Sequence, residues 1–236
     1  MKKDPYKSLR QECLELNLEL PRLGLVLYTF GNVSVSDRKR GVVAIKPSGL
    51  PYKGMKTSDI VVVDLEGRRV AGRLNPSSDT ATHLVLYREF TGLGGIVHTH
   101  STHATAWAQA CRPIPVLGTT HADHLHTPVP CTDLMTDEQI KADYETSTGR
   151  QIVDTFRSAS LSADEVGMVL VAGHGPFTWG PTGEKAVYNA AVLEQLAAMA
   201  WMTLAINPSV PPLKDALIRK HFERKHGKNA YYGQKP

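Results

Sequence analysis

The chain has 236 residues, enough for one large α/β domain or two small ones and for a sizeable core. Its net charge is only +4, and no basic stripe is interleaved with aromatics, which argues against a nucleic-acid partner and suits a small anionic substrate. Three scattered cysteines, Cys13, Cys111 and Cys131, show no CxxC spacing, so a disulfide framework is excluded and a reducing cytoplasm is the expected compartment.

The opening residues run into a polar helix rather than an apolar leader. Leu9, Cys13, Leu16 and Leu20 recur at helical spacing and predict a helix over 5–20, ended by Pro21. Residues 25–28 and 32–35 predict short strands around Gly31, 37–41 a charged turn, and 42–45 and 60–65 two further strands. Pro76-Ser77-Ser78-Asp79 opens a helix running to about residue 90, with serines and an aspartate as its caps. Gly95-Ile96-Val97 predicts a strand that carries His98 and His100. A short helix is expected over 104–110, and another from Thr136, where Gln139 completes a capping box. Residues 168–171 predict a strand, 183–207 a long helix, and 213–226 a last helix stopped by Gly227. The apolar stretch 186–206 is interrupted by Asn189, Glu194 and Gln195, so it is expected to be a buried helix with no membrane partner. Strands come in runs and no linker divides the chain. The expected fold is therefore a single α/β domain over 1–236, with a central, mainly antiparallel sheet flanked by helices.

The chemistry begins with His98 and His100. Two residues apart on a strand share a face, so both imidazoles aim at one spot, as a Zn²⁺ site requires. Two histidines on a wet strand face, binding nothing, is the competing reading. His174 is the third candidate, in a Gly-His-Gly turn that can present its ring to a shared point; taken alone, such a histidine reads more readily as one bonded to a carbonyl. Asp79 is a possible fourth ligand or merely a carboxylate favoured at a helix start. Three segments look like anion cradles: Gly31-Asn32-Val33-Ser34, Lys46-Pro47-Ser48-Gly49, and Ser77-Ser78 at a helix N-terminus. His121, Asp123, His124 and His126 cluster in what reads as a solvated loop. Tyr231 and Tyr232 lie in a polar tail and gain a role only if that tail folds over a neighbour's site.

Together these segments, with Thr119-Thr120-His121-Ala122-Asp123, His174-Gly175-Pro176-Phe177 and the stretch from Lys225 through Gln234, resemble the class II sugar-phosphate aldolase/epimerase family in order along nearly the whole chain. Its epimerase branch is the more similar. The resemblance implies a three-layer α/β/α fold and one Zn²⁺ per subunit, with Mn²⁺ or Co²⁺ equally acceptable to such ligands. The ion would sit on His98, His100, His174 and Asp79, a position where the aldolases carry glutamate. It implies Asp123 and Tyr232 as the catalytic acid–base pair, Tyr232 coming from the adjacent subunit. The phosphate site falls on Ser48, Gly49, Ser77 and Ser78, with Asn32 and Lys46 nearby; Thr119, Glu145 and His221 line the site. It further implies a cyclic homotetramer with active sites between subunits, and a sugar-phosphate substrate.

The implied reaction inverts C4 of a ketopentose phosphate by opening and reclosing C3–C4, which needs two acid–base groups on opposite faces. The rivals are an aldolase that releases its aldehyde, a Schiff-base aldolase on Lys46, and a non-catalytic adducin-like binding module.

Overall fold

The structure, a computed structural model, describes residues 4–228 with Ala230, Tyr231 and Gly233. Seven strands form one sheet in the order β4-β3-β2-β1-β5-β7-β6. These are β1 (Asn32–Asp37), β2 (Val42–Ile45), β3 (Val61–Asp64), β4 (Arg69–Ala71), β5 (Gly95–His98), β6 (Met168–Val171) and β7 (Gly175–Gly180). Every pairing is antiparallel, in line with the expected architecture.

Alternation along the strands divides the core. Val33, Val35, Val42, Ala44, Val62 and Val97 face a cluster built with Leu9, Cys13, Leu16 and Leu20 of α1 (Lys7–Arg22) and with the first half of α7 (Gly183–Ile206). Val43, Val61, Val63 and Ile96 face the other cluster, formed with α2 (Thr80–Glu89) and α6 (Tyr144–Ser158). Helices on both faces give the three layers. The second half of α7 joins α3 (Thr102–Gln109) in that second cluster.

Several expectations are corrected. Pro21 lies inside the last turn of α1, where it cannot donate to the Asn17 carbonyl, and the helix ends one residue later at Arg22. Residues 25–28 form no strand; Leu25 and Val26 instead bury against α1. The short edge strand β4 and strand β7 went unread, β7 because Gly175, Pro176 and Gly180 mask its pattern. The helix from Thr136 is two helices: α5 (Asp137–Ala142), opened by the expected Thr136–Gln139 box, and α6, whose start is capped by Asp143.

Helix α7 is long and apolar enough to span a bilayer, but its polar residues have partners inside the fold. Asn189 donates to the Trp179 carbonyl at 2.8 Å. Glu194 accepts from the His103 and Ala104 backbone N–H groups at 2.8 and 2.9 Å and so caps α3, which begins just after His100. The remaining helices are α4 (Thr119–Ala122) and α8 (Asp215–His226), which pack on each other.

Candidate active site

Strand parity fixes the first part of the site. Asn32 pairs directly with His98 and Ser34 with Ile96, so Asn32, Ser34 and His98 share the face that looks toward α2. Gly31, at φ +74°, turns the chain into β1 so closely that a Cβ there would meet the His98 carbonyl at 2.8 Å. β5 ends at His98, so His100 lies past the strand and not on it. The residue after His98 still alternates, and the two Nε2 atoms come within 3.2 Å. His174 arrives from the β6–β7 turn, where Gly173 takes φ +71°.

The ring centroids are 4.9 Å apart for His98–His100, 4.7 Å for His98–His174 and 5.1 Å for His100–His174. One nitrogen from each ring falls within 4.8 Å of the others. Zinc bonded to two imidazole nitrogens at about 2.0–2.1 Å in a tetrahedral shell sets them about 3.3 Å apart, so the His98–His100 approach fits such an ion. Phe177 stacks on the His98 ring at 4.2 Å, and His98 Nδ1 meets the Pro176 carbonyl at 3.0 Å, which turns Nε2 toward His100. Burial, aided by His174 and His100 and opposed by Asp79, pushes His98 down to about 4, so the ring is neutral at pH 7, as a ligand must be.

Asp79 occupies the N-cap position of α2 yet makes no capping hydrogen bond. Its Oδ2 instead accepts from Asn32 Nδ2 at 2.7 Å, and the same amide donates to Ser77 Oγ at 3.1 Å. Burial alone would raise this carboxyl; the His98 and His83 rings and the Asn32 amide reverse that and hold it below its ordinary value. Asp79 thus lies beside the imidazoles but outside their compact group. Asn32 Oδ1 is buried without a hydrogen-bond partner.

All three expected anion cradles come together, the first through the Asn32 amide and Ser77. Pro47 bridges Pro76, Ser77 N–H donates to the Lys46 carbonyl and Ser48 N–H to the Asn75 carbonyl, both at 3.0 Å. Ser48, Gly49 and Ser78 stay exposed beside buried Lys46 and Ser77. The Lys46 ammonium donates to the Thr29 carbonyl at 3.1 Å and sits 4.9 Å from the centre of the Tyr52 ring. Burial, against the pull of Asp79, lowers it to about 8.

Asp123 belongs to a different corner. It follows α4 and is gripped by α8: Arg224 donates through Nε at 3.0 Å and Nη2 at 2.7 Å, His221 Nδ1 lies at 2.9 Å and Lys225 Nζ at 3.4 Å. Burial would raise this carboxyl, but Arg224, His221 and Lys225 together bring it down to about 2. Thr119 opens α4 in the same corner. Among the described residues no hydrogen bond, ion pair or ring contact joins this group to the three imidazoles. Tyr232 lies outside the described residues.

The 121–126 cluster is not the solvated loop expected: His121 lies in α4, buried against the Thr127 carbonyl at 3.0 Å, and His126 packs on Phe222. Glu145 meets α2 through its backbone, accepting from Thr82 Oγ1 at 2.7 Å. Two residues were missed in the sequence. Arg224 looked like one more charge on a basic helix. Tyr144, whose hydroxyl reaches His174 Nδ1 at 3.1 Å, was hidden by the unread break before α6. A helix break at Asp143-Tyr144, flagged by Asp143 as a cap, could have drawn attention to it.

A sheet of this topology bearing three convergent imidazoles agrees with the comparisons. Residues 11–201 match the Class II Aldolase and Adducin N-terminal domain, and the chain belongs to that family. The chain is 52% identical over 229 residues to the L-ribulose-5-phosphate 4-epimerase UlaF of Salmonella paratyphi B, covering 97% of this chain and 100% of that protein, and equally so to the UlaF of Salmonella typhi. Among solved structures, an L-fuculose 1-phosphate aldolase superposes with a TM-score of 0.76 at 25% identity, over 92% of this chain and 95% of that one. An L-fuculose-1-phosphate aldolase from Thermus thermophilus shares the fold with a TM-score of 0.66 at 22% identity, over 87% and 100%.

Proposed function

We propose that the chain is a metal-dependent epimerase that interconverts L-ribulose 5-phosphate and D-xylulose 5-phosphate. The observation that carries this reading is the convergence of His98, His100 and His174 in a chain 52% identical to proteins named for that reaction. A divalent ion, zinc in our reading with Mn²⁺ or Co²⁺ able to replace it, would be held by these three rings with Asp79 beside them and would supply Lewis acidity toward the hydroxyketone oxygens.

Around it, the chain's own groups divide the labour. Lys46, Ser48, Gly49, Ser77, Ser78 and the Asn32 amide bind the phosphate and keep hold of glycolaldehyde phosphate after C3–C4 opens. The aldehyde turns, and the bond reforms on its other face. Asp123, held as a carboxylate, accepts the C4 hydroxyl proton on one side, and Tyr232 serves the other. Because Asp123 and His221 stand apart from the imidazoles, they and Thr119 complete a neighbouring protomer's site in a cyclic homotetramer, while Glu145 stays with its own chain's His174 side. The compartment is the cytoplasm, where Cys13, Cys111 and Cys131 remain free thiols.

Two measurements test this. Incubation with L-ribulose 5-phosphate yields D-xylulose 5-phosphate without free glycolaldehyde phosphate; release of the aldehyde as the main product would establish the aldolase instead, a reading favoured by the L-fuculose 1-phosphate aldolase likeness. Co-refolding equal amounts of His98→Asn and Asp123→Asn, each inactive alone, restores about one quarter of wild-type turnover, the share of interfaces that unite two intact halves. No recovery in mixed tetramers would place both halves in one chain.

A further inference from the structure

We infer that Tyr144 is a positioning residue of the metal centre, fixing the tautomer and orientation of His174 through its hydroxyl. The inference rests on the reading that His98, His100 and His174 hold an ion. His98 already shows the arrangement: its Nδ1 is engaged by the Pro176 carbonyl, and its Nε2 is the atom that faces His100. His174 sits half-buried in the β6–β7 turn, off any strand, with the Phe177 ring of β7 edge-on at 6.1 Å. The contact to its Nδ1 is the Tyr144 hydroxyl at 3.1 Å, with the phenol and imidazole ring centres 5.9 Å apart. With Nδ1–H donating to the phenol oxygen, the Nε2 lone pair is left for the ion.

The fold holds Tyr144 for this task. Tyr144 is the first residue of α6, which starts afresh after Asp143, whose carboxylate accepts from the Thr146 N–H at 3.1 Å and the Thr146 hydroxyl at 2.7 Å. The next residue, Glu145, accepts from Thr82 of α2. At Gly149 the two helices approach so closely that a Cβ would meet Val85 Cβ at 2.7 Å and the Thr82 carbonyl at 3.1 Å. Helix α2 is the element that carries Asp79 at its start, so the packing that seats α6 ties Tyr144, and through it His174, to the same helix as the carboxylate. A turn histidine is thereby given a partner as fixed as the one a strand provides for His98.

The test compares wild type with Tyr144→Phe, which removes only the hydroxyl. Zinc affinity, read by competition with a chromophoric chelator on the tetramer, is expected to fall about 10–100-fold in the variant. The ¹⁵N shifts of the metal-free protein are expected to show His174 as the Nδ1–H tautomer in wild type and as a mixture in Tyr144→Phe, while the melting temperature without metal stays within a few degrees. Equal zinc affinities and unchanged His174 shifts would overturn the role of Tyr144 while leaving the metal centre standing. A wild-type protein that binds no zinc would overturn the metal reading and this inference with it.

Discussion

The imidazole corner and the Asp123 corner solve opposite electrostatic problems. At the first, β5, the segment just after it and the β6–β7 turn bring three rings together where burial holds His98 neutral, so that lone pairs are available to an ion. At the second, α4 and α8 bring Arg224, His221 and Lys225 around one carboxylate and hold it ionised. The sheet suits the first task because paired strands fix the direction of the His98 side chain and set the chain ends from which His100 and His174 converge on it. A helix pair suits the second because long cationic side chains can reach across from α8. Neither corner has what the other supplies.

The comparison breaks most severely at the imidazoles. His98→Asn is expected to lose both metal, by plasma emission, and turnover, by at least about a thousandfold; full activity of this variant in excess chelator would remove the ion from the reaction. Asp123→Asn is expected to lower kcat by about 10²–10⁴-fold with metal content unchanged, which separates the two corners cleanly. Loss of metal in that variant would show that they are not independent. Lys46→Met is expected to raise KM about tenfold with little change in kcat, as for a group that binds phosphate equally in ground and transition states. Borohydride added with substrate should leave no adduct on Lys46, since a lysine lowered only to about 8 stays mostly protonated at pH 7 and offers phosphate a cation rather than a carbonyl a free amine; a trapped adduct would revive the Schiff-base aldolase.

Arg224→Gln gives the smallest and most diagnostic change. Removing the guanidinium lets the Asp123 carboxyl rise from about 2 toward the ordinary carboxylate range, so the acid limb of the kcat profile moves to higher pH. The same group sets a stability limb. A depressed carboxyl contributes stability that is fully present above its unfolded value of about 4 and is lost as pH falls through about 2. Melting temperatures between those pH values should therefore drop less in Arg224→Gln than in wild type. Coincident profiles would mean that the clamp only docks α8.

Much of this was legible in one dimension because the signals are local. Residues 42–45 and 168–171 were expected as strands and are β2 and β6 with those bounds, since continuous β-branched and apolar runs admit little else. The Thr136–Gln139 box marked the start of α5, and the histidine pair pointed to a group whose geometry could hold a metal. The residues before α2, however, were read as caps, whereas Asp79 turns its carboxylate to Asn32 and only Ser77 Oγ still accepts from a backbone N–H, that of Asp79, beside the Asn32 amide. A tertiary partner outcompeted the helix N–H groups. Strand β7 and the break before α6 stayed hidden because glycine, proline and polar residues carry no periodic signal of their own.

Residue types and order along the chain determined the family, the kind of sheet and the presence of imidazoles able to hold a metal, since motif spacing and alternation are properties of the chain itself. Distances between residues remote in sequence were decided only in three dimensions. Asn32 meets Asp79 across 47 positions, His174 meets Tyr144 across 30, and Arg224 meets Asp123 across 101. Such contacts depend on strand register and helix packing, which emerge from burial of the whole core and not from any single segment.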